Sequence, residues 1–229
     1  MGGWGELAAA FLAFLLSHVL PVRPAIRARL VGLAGERGYL AGYSAVSLAM
    51  LAWLVAAAGR APFVPLWPYA PWQAWVPNLA MPLACLLIAF GIGAPNPLSF
   101  GGRAAGFDPE RPGIAGFSRH PLLVALALWA ASHAVPNGNL AQAALFGAFA
   151  GFALLGMRVI DRRKRRQMGT EWARLAARTS FWPGAALLSG RWRPAGGPDP
   201  RRLAVAGALW LGLLALHPGL IGVSPLPPG

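Results

Sequence analysis

Acidic residues are scarce in this chain: 229 residues contain seven Asp plus Glu against 20 Lys plus Arg, a formal net charge of +13. Charged residues of both signs make up 12% of the chain, half of the roughly 25% that a soluble domain carries. That leaves too little polar surface to wet a globule of this length, so a water-soluble fold is excluded. Cysteine is nearly absent as well. The single Cys85 lies inside an apolar run, which removes both a disulfide framework and a thiolate metal site and makes the residue a small hydrophobe. No Lys or Arg precedes the first apolar run. It therefore lacks the basic start of a secretion signal and is expected to stay in the mature protein.

What the chain has in abundance is apolar sequence, 56% of residues with a mean hydropathy of +0.52. Six runs come near the roughly 20 residues needed to span a bilayer: 4–20, 39–58, 75–94, 121–135, 140–159 and 203–223. The fourth is short and is expected to extend backwards through His120. The fold class that follows is all-α, a polytopic bundle of about six transmembrane helices forming a single domain over 1–229. Charge tests this division independently, because loops facing the cytoplasm collect Lys and Arg. Alternate gaps hold four, three and eleven basic residues and, with Arg158 at the end of run five counted to the last, 19 of the 20, while the outer gaps hold only Arg60. Both termini are then outside. The basic residues fill gaps between apolar runs, which argues for anionic lipid and against nucleic acid as the partner.

Local signals agree with this layout. Pro136-Asn137-Gly138-Asn139 reads as a tight turn joining runs four and five. Pro82 falls inside run three and is expected to kink it or be accommodated by neighbours. Trp67, Tyr69, Trp72 and Trp75 sit where an outer aromatic belt would. A basic cytoplasmic loop is expected over 160–202. It opens on the polybasic run Arg162, Arg163, Lys164, Arg165 and Arg166, a surface for anionic lipid or a partner protein, and contains a short interfacial helix over 170–178.

No span has Asp, Glu or Lys near its centre, which argues against an ion-coupled carrier. The spans do contain histidine. His18 and His120 fall near the inner surface. His133 lies about 20 Å along run four and His217 about 21 Å along run six, both towards the outer side. His120 and His133 are too far apart to share one metal. Two imidazoles on facing helices suit a b-type haem, and no third ligand at either level supports tetrahedral zinc. The competing reading makes each histidine a packing or capping residue. The steps His120-Pro121 and His217-Pro218 would then mark helix boundaries.

An ordered set of residues carries a resemblance over most of the chain. It begins with His18, Pro21, Arg27 and Arg29, then Gly38-Tyr39, Tyr43-Ser44 and Ser47. It continues with Arg119-His120-Pro121, Leu128-Trp129-Ala130 with His133, Asn137-Gly138-Asn139, and Leu145-Phe146-Gly147. It closes on Leu216-His217-Pro218 and Ile221-Gly222-Val223. The chain resembles the NnrU family of bacterial membrane proteins. That resemblance implies an association with denitrification through nitrite and nitric oxide reduction. It also implies kinship with ζ-carotene isomerases, haem b membrane enzymes in which histidines resembling His133 and His18 are implicated as iron ligands. A redox-linked cysteine of those isomerases corresponds here to Ala130, so the matching thiol is missing.

Depth pairs His133 with His217, the resemblance pairs it with His18, and the partner stays open. Arg119 is a candidate for pairing with a haem propionate, or simply an inner-surface arginine. The function expected is a haem b-binding membrane protein that supports denitrification, with His133, His18, His217, His120 and Arg119 as cofactor-binding candidates. The alternatives are a haem-dependent isomerase of an apolar polyene and a non-catalytic membrane scaffold.

Overall fold

The computed structural model describes residues 3–227, and its regular structure is helical, apart from two isolated β-bridges. In chain order the helices are α1 (Trp4–Val19), α2 (Pro24–Arg60), α3 (Trp75–Gly91, entered through a 3-10 turn at Pro71–Ala74), α4 (Ile114–Phe117), α5 (Pro121–Ala134), α6 (Leu140–Met168), α7 (Thr170–Ala176), α8 (Ala185–Leu188) and α9 (Pro200–Ile221). Four stretches are long and apolar enough to cross a membrane: Pro24–Arg60, Pro71–Gly91, Leu140–Met168 and Pro200–Ile221. Helices α1 and α5 are apolar but shorter. In the most enclosed of the four, 39% of the apolar window is buried, and in α9 only 6%. Apolar surface exposed on that scale needs a bilayer around it. The chain is a multi-pass membrane protein.

Two compact units make up the chain. The first comprises Met1–Pro68 with Gly138–Leu145. In it α1 buries Leu7, Ala10 and Phe14, one face at helical spacing, and α2 buries Leu54, Ala57 and Ala58. Glu6 joins the two helices at one end, pairing with Arg60 and accepting from the Trp53 indole at 3.3 Å. The turn at Gly138 pairs with the segment after α2, and the Leu140 N–H donates to the Val64 carbonyl at 2.9 Å.

The second unit comprises Tyr69–Asn137 with Phe146–Gly229. Its apolar core is built where α3 meets α5, through Ala84, Leu87 and Ala125, and where α5 meets α6, through Leu123, Ala153 and Met157. Cys85 is buried on α3, as a small hydrophobe should be.

Three boundaries differ from expectation. The basic stretch ahead of run two is helical, because α2 begins at Pro24, a residue suited to the first helical turn. A break at Gly35 (φ 70°, ψ 169°) interrupts it, a backbone conformation that favours glycine. Helix α6 runs nine residues past 159 and takes the polybasic run 162–166 into the helix, since Arg, Lys and Gln are good helix formers. Helix α5 does not extend through His120 but starts at Pro121, because the residue before a proline is pushed out of helical backbone. The interfacial helix appears as α7, and Pro82 sits inside an unbroken α3.

Candidate functional site

His120 is the N-cap of α5, at φ −120° and ψ 59°. Its ring is fully buried, and both nitrogens are engaged. Nε2 lies 3.0 Å from Asp161 Oδ1 on α6, and Nδ1 lies 2.8 Å from Ser99 Oγ in the loop between α3 and α4. A carboxylate can only accept, so Nε2 donates to Asp161, and in the neutral ring Nδ1 accepts from the Ser99 hydroxyl. The other oxygen of Asp161 takes Nη1 of Arg119. Arg119 Nε donates to Thr179 Oγ1 at 2.8 Å, and that hydroxyl in turn donates to the Ala176 carbonyl. Burial pulls the Arg119 guanidinium below its usual range, and Asp161 pushes back. An unpaired charge at such a place is costly, which is why the partner is an acid.

The backbone around Arg119 is clamped on both sides. Its N–H donates to the Ser180 carbonyl at 2.7 Å, and its carbonyl accepts from Asn96 Nδ2 at 2.9 Å. Asn96 also turns its own loop, its Oδ1 accepting from the Leu98 N–H. The loop doubles back so closely there that a Cβ on Gly102 would meet the Asn96 carbonyl. Sequence reasoning missed Asp161, Ser99, Thr179 and Asn96. One signal was available: Asp161 is the only acid between Glu110 and Glu171, set at the head of a run of five bases.

The other three histidines share a different arrangement. Nδ1 of His133 faces the Trp129 carbonyl at 2.8 Å, Nδ1 of His18 faces the Phe14 carbonyl at 2.8 Å, and Nδ1 of His217 faces the Val223 carbonyl at 2.8 Å. A carbonyl only accepts, so Nδ1 carries the proton and the neutral ring has its lone pair on Nε2. This is the tautomer in which an imidazole ligates through Nε2, with a carbonyl holding its orientation. Among the described residues no hydrogen-bond partner faces Nε2 of His133 or of His217. The His133 ring is flanked by Trp129 at 5.6 Å and Phe146 at 5.7 Å between centroids.

His133 and His217 belong to the same unit. His18 lies in the other unit, beside Phe14 and Tyr43. His120-Pro121 does mark a helix start, whereas His217-Pro218 lies within α9, which continues to Ile221. Among the described residues no three side chains of His, Cys, Asp or Glu gather as a metal site.

No curated protein and no solved structure matches the chain. The family model described as NnrU protein matches residues 6–225. That span takes in all four long apolar helices, the buried Arg119–His120–Asp161 network and the three Nδ1-anchored histidines, and the chain belongs to the NnrU family.

Proposed function

We propose that this NnrU family protein spans the bacterial inner membrane six times with both termini outside, binds haem b through intramembrane histidines, and supports the reduction of nitrite and nitric oxide. The observation that carries the haem assignment is the hydrogen bond from His133 Nδ1 to the Trp129 carbonyl, which leaves the Nε2 lone pair for iron. His133 is the first ligand. His217, in the same unit and with the same Nδ1 anchor, is the candidate for the second. Haem, when bound, supplies one-electron chemistry at its iron. The chain's own part is to fix the tautomer of His133 through Trp129 and to surround the ring with aromatic rather than aqueous neighbours.

Arg119 and His120 take no part in this site. Arg119 is committed to Asp161 and Thr179, and His120 to Asp161 and Ser99. The six-span topology rests on the one-sided charge, 19 of 20 basic residues in alternate gaps. The link to nitrogen oxides rests on the family resemblance. The test is a pyridine haemochrome assay and Soret spectrum of the full chain, purified in detergent after expression with haem supply. About one haem per chain, lost in His133→Ala, is the expected result. A colourless protein, under conditions that load a control cytochrome, overturns the assignment.

A further inference from the structure

The polybasic run on α6 is not one surface. Arg158, Arg162 and Arg165 fall at spacings of four and three, on one face of the helix. Together with Arg119, Asp161 and Trp172 they line an open cleft of about 390 Å³, which Arg163 and Arg166 do not line. Like charges four residues apart repel on a helix surface, so this row is unfavourable unless something offsets it. Asp161 is the only acid lining the cleft, and both its oxygens already accept from Arg119 and His120. None of Arg158, Arg162 and Arg165 forms an ion pair among the described residues. The Trp172 ring lies 4.4 Å from the Arg165 guanidinium and 5.0 Å from that of Arg119, and its Nε1 is buried without a hydrogen-bond partner among the described residues. The cleft therefore offers guanidinium donors in excess and has no carboxylate oxygen left over.

From this we infer that the cleft is a binding site for a phosphoryl group, held by Arg158, Arg162 and Arg165. Such a group brings negative charge and several acceptor oxygens, and guanidinium forks match its geometry. The cleft opens among the basic residues that the charge pattern places towards the cytoplasmic leaflet, where anionic phospholipids lie. The site does not depend on haem: the spectrum tests one and lipid retention the other.

The experiment uses the full chain in detergent mixed with phosphatidylglycerol or phosphatidylcholine, with native mass spectrometry to count retained lipid. The variant Arg158→Gln/Arg162→Gln/Arg165→Gln is set against Arg163→Gln/Lys164→Gln/Arg166→Gln, which removes the same charge outside the cleft. Five of the six positions are exposed on α6 and Lys164 is half-buried, and gel filtration confirms folding. Inorganic phosphate is titrated in parallel, with Trp172 fluorescence as the readout and Trp172→Phe as its blank.

Phosphatidylglycerol retained by the wild type and the outer variant, and weakened on the order of fivefold per arginine in the cleft variant, supports the site and assigns it to a lipid headgroup. Saturable phosphate binding with the same variant pattern, without lipid retention, supports the site and assigns it to a free anion. Equal loss in the two triple variants, or no binding of either probe, overturns it.

Discussion

The two ends of α5 carry one histidine each, thirteen residues apart, and the two rings are held in opposite tautomers. At the N-terminal end His120 donates from Nε2 to Asp161 and accepts at Nδ1 from Ser99, so the ring is closed into a buried network with Arg119 and Thr179. At the C-terminal end His133 donates from Nδ1 to a carbonyl of its own helix. The Ser132 hydroxyl lies 3.4 Å from the same nitrogen, and no hydrogen-bond partner faces Nε2 among the described residues. The first ring ties three chain segments together, and the second is anchored within a single helix turn. The same residue type thus serves as a structural tie at one level and as a candidate ligand at another. What separates them is the number of ring nitrogens the protein itself uses. Three of the four histidines face a backbone carbonyl through Nδ1, which makes His120 the exception.

The largest expected effect comes from Asp161→Ala. It leaves the Arg119 charge and the His120 donor without an acceptor in a buried place, where breaking such a pair costs about 3–5 kcal/mol. Thermal unfolding in detergent should show little folded protein, and an unfolding temperature within a degree or two of wild type would break the contrast between the two ends.

A smaller loss, about 1–3 kcal/mol, is expected for Arg119→Lys, which keeps the charge but cannot reach Thr179 and Asp161 together through one planar fork. His120→Phe should fall in the same range of about 1–3 kcal/mol, because it keeps a ring beside Phe181 but strips the Ser99 and Asp161 bonds. That variant should also keep its haem absorption; losing it would make His120 a ligand after all.

The smallest stability change, below about 1 kcal/mol, is expected for His133→Phe, since what is lost is a bond to an intrahelical carbonyl and a long contact with the Ser132 hydroxyl. Its effect should appear with added haemin. The wild type gains thermal stability by mass action on the folded state, and this variant should gain none.

The helices were legible because bilayer-spanning segments write themselves as long apolar runs with basic residues gathered in alternate gaps. Even so, their ends were misjudged where local rules compete: Arg and Lys prolong α6 through what read as loop, and Pro121 stops α5 short of His120. The histidines were visible as the ionisable side chains placed among apolar residues. Their roles were not, because a tautomer is set by whatever faces each ring nitrogen, and for His120 those partners lie 21 and 41 residues away. The sequence by itself determined a multi-pass, all-helical membrane protein with its basic residues gathered between apolar runs, since apolar length and charge distribution are properties of the chain alone. Only the tertiary structure decided that Arg119 and His120 are spent on Asp161, and that the polybasic run divides into a cleft-lining row and an outward one. Both outcomes depend on which segments pack together, and a buried charge selects its partner by distance in space rather than along the chain.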